Sequence, residues 1–164
     1  MSNYGFVKGL RAIRDYRPDP LAEEDLEAIL DAGRWTGSSK NRQDWSMIIV
    51  SGDAELAALA KAGSFTGPLR KSAVTVALVR EPGGNDFDVG RLAQNLMLAA
   101  RAVGVASCPI TLHREDKARQ VLGVPADRGV RYAVAFGYPS DTAEPRRYGG
   151  RKPLSEVARR HRYQ

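Results

Sequence analysis

Apolar residues recur along the chain at two spacings, one typical of helices and one typical of strands. In the segment 21–33, Leu26, Ile29 and Leu30 form a stripe along one helical face, and Leu92, Leu96 and Ala99 do the same in a longer segment. Shorter runs rich in β-branched residues predict strands. The predicted helices cover about residues 4–14, 21–33, 53–62, 87–103 and 114–122, and the predicted strands cover 45–50, 72–79, 106–111 and 130–137.

The order of these elements predicts the layering of the fold. The run 72–79 is almost unbroken in apolar residues, which is typical of a strand buried at the centre of a sheet. Polar loops at 36–44 and 81–88 separate the elements, and neither is long enough to divide the chain into two domains. The order predicts an α/β or α+β sandwich in which helices cover a central sheet.

Composition narrows the class of protein. The 164 residues are 43% hydrophobic and 27% charged, which fits one globular domain and excludes a disordered chain. The longest apolar runs are too short to span a bilayer, and residues 1–15 lack the apolar block of a secretion signal. The single cysteine, Cys108, excludes an internal disulfide and suits a reducing compartment. We therefore expect a cytoplasmic protein that does not associate with membranes.

The net charge of +6 is concentrated at one end of the chain. Residues 146–164 contain seven basic residues and one acidic residue, so this segment accounts for the whole excess. A nucleic-acid-binding protein usually spreads its basic residues over a face of the fold. The distribution favours a local anion site or a solvated tail, and we expect no nucleic-acid partner.

The sequence offers little catalytic machinery of its own. His113 and His161 lack a partner at metal-ligand spacing, and no serine lies in a Gly-x-Ser-x-Gly motif. The glycine-rich loops that bind phosphates or dinucleotides are also missing. Cys108 lies in an apolar strand and is expected to be a buried hydrophobic residue. If the protein is an enzyme, we expect a bound molecule and not a side chain to supply the reactive group.

Separated arginines and one polar loop are the remaining candidates for a site. In the predicted first helix, Arg11 and Arg14 lie one turn apart, and guanidinium groups are preferred partners of phosphate oxygens. Arg151 follows two glycines, which have no side chain and therefore allow the backbone to lie close to a ligand or to another part of the chain. Considered singly, such arginines are usually solvated surface charge, and the loop 38–45 is an ordinary connection between a helix and a strand.

The order of six short motifs carries more information than any one of them. Over residues 10–157 the chain resembles the nitroreductase-like family of FMN-dependent oxidoreductases. The matching stretches are Leu10-Arg-Ala-Ile-Arg-Asp-Tyr16, then residues 20–32 with Thr36-Gly-Ser-Ser-Lys-Asn-Arg-Gln-Asp-Trp45, Gln94-Asn-Leu-Met-Leu-Ala-Ala-Arg-Ala-Val-Gly-Val105, Leu122-Gly-Val-Pro125, Gly137-Tyr-Pro139 and Arg151-Lys-Pro-Leu-Ser-Glu-Val157.

The resemblance implies a single α+β domain over residues 1–164, with 146–164 as its basic C-terminal segment. The expected fold is an α-β-α sandwich around a mostly antiparallel sheet, assembled as a homodimer with FMN at the subunit interface. The residues expected to bind the cofactor are Arg11, Arg14 and Arg151 from one subunit, Ser38, Ser39 and Asn41 from the partner chain, and the main chain of Thr111 and Leu112.

The expected function is that of an FMN-dependent oxidoreductase. NADH or NADPH would deliver hydride to flavin N5 in a ping-pong cycle, and a small-molecule acceptor such as a nitroaromatic or quinone would then be reduced. The chain departs from the family pattern at Leu10, where an arginine is usual, at Ala12, where a serine is usual, and at Asp44. These departures keep a flavin-storage protein without efficient turnover as the alternative. The basic tail gives a third reading, a nucleic-acid module, which the neutral charge of the first 145 residues opposes.

Overall fold

A computed structural model describes residues 2–146 and 149–163 of the chain. Within these residues, helices and strands alternate along most of the sequence. The helices are α1 (Asn3–Lys8), α2 (Glu23–Arg34), α3 (Asp53–Ala60), α4 (Gly67–Lys71), α5 (Asp86–Ala102), α6 (Glu115–Leu122) and α7 (Leu154–Val157). The strands are β1 (Trp45–Val50), β2 (Val74–Arg80), β3 (Ala106–Thr111) and β4 (Gly129–Gly137).

The four strands form one sheet in the order β1-β2-β4-β3, and every neighbouring pair is antiparallel. This confirms the expected antiparallel sheet. Strand β2 lies inside the sheet, and its residues from Val74 to Val79 are buried, as its continuous apolar run predicts. Strand β3 lies at an edge, and Pro109 in its middle is exposed. Proline is tolerated there because an edge strand can lack one N–H donor.

Helices cover both faces of the sheet, as the sandwich expectation requires. Alternate residues of β2 point to opposite faces, so Val76 and Leu78 pack with Ile29 of α2 and Leu92 of α5. On the other face, Ala77 and Val79 pack with apolar residues of α3 and with Ala118 of α6. In the described part of the chain, no helix is long and apolar enough to cross a membrane.

The predicted first helix is wrong over its second half. Helix α1 ends at Lys8 with Gly9 as its C-cap, and residues 10–16 continue beside the sheet without helical structure. The N–H of Ile13 donates to the carbonyl of Ser107 at 3.0 Å, and Tyr16 forms an isolated bridge with Pro139. The apolar spacing that indicated a helix instead reflects contacts of a segment without helical structure. Arg11 and Arg14 therefore do not share a helical face.

Helices α4 and α7 are elements that the sequence pattern does not predict, and α4 is the one that borders the site described below. It spans only five residues and begins with Gly67 and Pro68, two residues that usually mark a turn. Proline is nevertheless compatible with the first turn of a helix, where its missing N–H has no partner in any case. The strands predicted at 45–50 and 106–111 are confirmed at both ends.

Candidate functional site

The segment after α1 is attached to the edge of β3 by the main-chain bond between Ile13 and Ser107, and a side-chain bond holds its own shape. Besides the Ile13–Ser107 bond, the hydroxyl of Tyr16 donates to the carbonyl of Ile13 at 2.9 Å. Tyr16 is buried, and this burial raises the pKa of its phenol, so the hydroxyl stays protonated and able to donate. These bonds fix Arg14 near Cys108.

Arginines from the two ends of the chain meet at a cavity of about 430 Å³, which we call the arginine pocket. The described residues that line it contribute four guanidinium groups and no carboxylate. Among the residues that the structure describes, Arg11, Arg14 and Arg151 form no ion pair with an acidic side chain. Such a concentration of like charge favours a bound anion. The lining residues are Arg11, Ala12, Arg14, Pro145, Arg146, Gly149, Gly150 and Arg151.

A second cavity of about 950 Å³, the strand-edge cavity, adjoins the arginine pocket because Arg14 and Arg146 line both. One wall is the outer edge of β3 from Cys108 to Thr111, and the opposite wall is formed by residues 60–68 and by α4. Its size is in the range of small-molecule and cofactor sites. The described lining residues are Arg14, Ala60, Lys61, Gly63, Ser64, Phe65, Thr66, Gly67, Pro68, Arg70, Lys71, Cys108, Pro109, Ile110, Thr111, His113, Arg114 and Arg146.

The wall opposite β3 is held in place by Arg114. Its Nε donates to the carbonyl of Lys61 at 2.8 Å, and a terminal nitrogen donates to the carbonyl of Gly63 at 2.9 Å. The ring of Phe65 meets the ring of His113 edge-on, with centroids 6.5 Å apart, and Phe65 is 84% exposed. The cavity therefore has a braced wall that carries an accessible aromatic ring.

Cys108 contributes a neutral thiol to this region. It is 1% exposed, which confirms the expected buried position. Burial raises the pKa of the thiol, and the nearby guanidinium groups of Arg14 and Arg146 offset only part of this effect. Because the thiolate is the reactive form, the geometry gives Cys108 no nucleophilic role. Among the described residues, no group of three or more His, Cys, Asp or Glu side chains could hold a metal ion.

The structure brings several of the predicted site residues together. Arg11, Arg14 and Arg151 line the arginine pocket, and Thr111 lines the adjoining strand-edge cavity. Leu112 is fully buried, and its N–H donates to the carbonyl of Arg131 at 2.8 Å. The roles of these residues toward a flavin remain predictions.

Ser38, Ser39 and Asn41 lie in a separate loop of the same chain. This loop is attached to the first half of α5, where Arg91 donates to the carbonyl of Gly37 at 2.7 Å. The other end of α5 meets the start of the chain, because Arg101 donates to the carbonyl of Phe6 at 2.8 Å. A helix rises about 1.5 Å per residue, so the backbone positions of Arg91 and Arg101 are about 15 Å apart along the axis. Within one chain, the loop is not part of the arginine pocket.

Sequence reasoning did not single out Lys61, Phe65 and Arg70, all of which line the strand-edge cavity. They lie at or near the connection between the predicted helix 53–62 and the predicted strand 72–79, which carries no motif. The departures from the family pattern also separate in the structure. Leu10 packs against the apolar cluster that contains α2 and α5, whereas Ala12 lines the arginine pocket.

Comparison with known proteins agrees with this fold and motif order. The Nitroreductase family model matches residues 7–73 and 71–138. Nitroreductase NfnB of Mycolicibacterium smegmatis is 30% identical over 194 aligned positions, which cover 84% of this chain and 82% of that protein. The NADPH-flavin oxidoreductase of Vibrio harveyi is 25% identical, over 94% and 71% of the two chains. An FMN-dependent nitroreductase from Clostridium difficile superposes with a TM-score of 0.85 at 23% identity, covering 98% of this chain and 99% of the other.

Proposed function

Because the chain belongs to the nitroreductase family, we propose that it is an FMN-dependent oxidoreductase that uses NADH or NADPH as electron donor. Its acceptor is a small molecule such as a nitroaromatic or a quinone. The observation that carries the proposal is the arginine pocket, where guanidinium groups from both ends of the chain converge beside a larger cavity. A relative named as an NADPH-flavin oxidoreductase and a structural neighbour named as an FMN-dependent nitroreductase support the same reading.

The residues of the arginine pocket fit the phosphate of FMN. A phosphate monoester carries close to two negative charges near neutral pH, and the described lining offers four guanidinium groups without a competing carboxylate. Gly149 has a φ of 90°, a left-handed conformation that glycine adopts without strain, so the chain turns next to the pocket with no side chain in the way. Arg11, Arg14 and Arg151 would hold the phosphate end of the cofactor.

The strand-edge cavity suits the flat ring system of the same molecule. Arg14 lines both cavities, so it can contact a ligand that extends from one into the other. In the proposal, main-chain groups of Thr111 orient the ring along β3, and the wall of residues 60–68 excludes water from it. Leu112 is buried behind Thr111, and its N–H bond to the carbonyl of Arg131 holds this end of the strand in place. The flavin supplies the hydride-transfer chemistry when bound, which agrees with the shortage of catalytic side chains. NAD(P)H and the acceptor would occupy the same cavity in turn, in ping-pong order.

A homodimer is part of this proposal. Ser38, Ser39 and Asn41 are too far along α5 from the arginine pocket to complete it within one chain, so a second copy would supply them. Large apolar side chains are also exposed, among them Trp35 at 73% and Phe87 at 75%. Exposed aromatic surface of this kind is typical of interaction sites. Light scattering coupled to size exclusion is expected to give twice the chain mass, and a monomer with bound FMN would overturn this part.

The test of the whole proposal is reconstitution followed by turnover. Protein supplied with FMN and desalted is expected to retain flavin absorbance, to quench flavin fluorescence and to oxidise NADH or NADPH when a nitroaromatic or quinone is present. Protein that retains no flavin would refute the proposal. Bound flavin that neither donor reduces, with a broad panel of acceptors, would instead identify a flavin-storage protein.

A further inference from the structure

The strand-edge cavity carries more positive charge than its place beside a flavin requires. Its described lining contains six arginine and lysine side chains and no aspartate or glutamate. Cavities lined by one sign of charge focus the electrostatic field and attract ligands of the opposite sign. The molecules that enter this cavity are therefore selected for negative charge.

Four of the six basic side chains line the arginine pocket, hold the cavity wall in place or pair with a carboxylate. Arg14 and Arg146 also line the arginine pocket. Arg114 braces the wall by hydrogen bonds to the carbonyls of Lys61 and Gly63. Lys71 forms an ion pair with Asp15 at 3.1 Å. These groups have structural or cofactor-directed roles that do not depend on a second substrate.

The two other cations, Lys61 and Arg70, have no such role. Both side chains are exposed, and neither has a hydrogen-bond or ion-pair partner among the residues of the described chain. Lys61 is the C-cap residue of α3 and Arg70 lies on α4, so both belong to the wall opposite β3. The ring of Phe65 lines the same cavity and offers a stacking surface for a planar group. Together they form a site for an anion carried by an aromatic molecule.

We infer that Lys61 and Arg70 bind the 2′-phosphate of NADPH and make the enzyme selective for NADPH over NADH. The two donors differ only in this phosphate, and arginine is a common partner of the 2′-phosphate in dinucleotide sites. The inference rests on the proposed function and names the donor that it left open. It concerns only the binding of the donor, so the hydride-transfer step is the same for both dinucleotides.

The experiment compares two double variants that have the same net charge. Lys61→Gln/Arg70→Gln removes the two cavity cations, and Lys117→Gln/Arg160→Gln removes two exposed cations that line neither cavity. Retained flavin absorbance in both variants establishes that cofactor binding is intact. The unaltered enzyme is expected to show a kcat/KM for NADPH at least about tenfold above that for NADH, the size of one charge-assisted contact. In the first variant the two values converge through a higher KM for NADPH, and in the second variant the preference is kept.

A binding measurement that needs no turnover accompanies the kinetics. Calorimetric titration of the FMN-loaded protein with 2′,5′-ADP and with 5′-AMP reports on the phosphate directly. Tighter binding of 2′,5′-ADP that weakens in the Lys61→Gln/Arg70→Gln variant supports the inference. Equal use of NADH and NADPH by the unaltered enzyme, or a preference that survives the double substitution, would overturn it and leave the proposed oxidoreductase intact. Failure to oxidise either donor would instead count against the proposed function, and the titration would still decide between the two nucleotides.

Discussion

The N–H of Ile13 donates to the carbonyl oxygen of Ser107 at 3.0 Å, so the segment after α1 is attached to the edge strand β3. The carbonyl of Ile13 in turn accepts from the buried hydroxyl of Tyr16. Both bonds involve Ile13, the residue directly before Arg14, which lines both cavities. A local change in this segment is therefore expected to alter both stability and the site.

Tyr16→Phe tests this attachment. The substitution removes the hydroxyl and leaves the Ile13 carbonyl without its donor, so the free energy of unfolding is expected to fall by about 1–2 kcal/mol. Urea denaturation followed by circular dichroism measures the change. Tyr163→Phe is the control, because Tyr163 is 88% exposed and its loss of a hydroxyl costs less than about 0.5 kcal/mol. Equal stability of the unaltered protein and Tyr16→Phe would contradict a stabilising role of the hydrogen bond from Tyr16 to Ile13.

Gly63→Ala tests the close approach between the cavity wall and β3. A Cβ atom at Gly63 would lie 2.8 Å from the carbonyl oxygen of Thr111, a main-chain atom that cannot move independently. We expect a loss of about 1–3 kcal/mol, as for other overpacked sites, together with weaker FMN binding. Gly67→Ala is the matched control, since no atom lies within 4 Å of its Cβ position. The interpretation fails if the two variants unfold at the same urea concentration.

The sequence predicts the sheet better than it predicts the site. The predicted bounds of strands β1 and β3 agree with the observed bounds at both ends. The apolar residues of a strand face the core, so a strand can be identified from the local pattern of apolar residues. Residues 9–14 are mistaken for helix because Leu10 and Ile13 also fit helical spacing, and the contact of Ile13 with Ser107 that distinguishes the two comes from a distant part of the chain. The place of Lys61 and Arg70 in a cavity could not be predicted from the sequence either, because parts of the chain that are distant in sequence form the walls of that cavity.

Asp15→Asn is expected to change how stability depends on pH. Hydrogen bonds from Lys71 and Ser140 lower the pKa of Asp15 below its ordinary value of 3.8. A carboxyl whose pKa is lower in the folded state contributes stability that is present above its unfolded pKa and is lost as the pH falls through its folded pKa. The stability advantage of the unaltered protein over Asp15→Asn should therefore be constant near neutrality and should decline below about pH 4.

Urea denaturation of both proteins across this pH range measures that difference. Glu81 also has a lowered pKa, chiefly because Ser46 donates a hydrogen bond to it. Its contribution occurs in both proteins and cancels in the difference, provided that the two sites are independent. A difference that grows as the medium becomes more acidic would show that Asp15 does not have the assigned partners.

Arg151→Ala tests the anion site at the C-terminal end of the chain. Loss of one charge-assisted contact to the FMN phosphate is expected to weaken binding by about tenfold or more. Flavin fluorescence titration measures the dissociation constant. Arg160→Ala removes the same charge from the exposed tail, outside both cavities, and is expected to leave the constant unchanged. If both variants weaken FMN binding equally, the effect is long-range charge and the pocket assignment is wrong.

Ala12→Ser restores the serine that is usual in the family at this position and is expected to strengthen FMN binding. Ala12 lines the arginine pocket, so a serine there places a hydroxyl donor beside the expected phosphate. One added hydrogen bond of about 1 kcal/mol tightens FMN binding by about fivefold. Ala158→Ser, an exposed position outside both cavities, controls for the added polarity. If Ala12→Ser folds normally and binds FMN no more tightly than the unaltered protein, the phosphate does not lie next to residue 12, and the placement of the cofactor in this pocket fails with it.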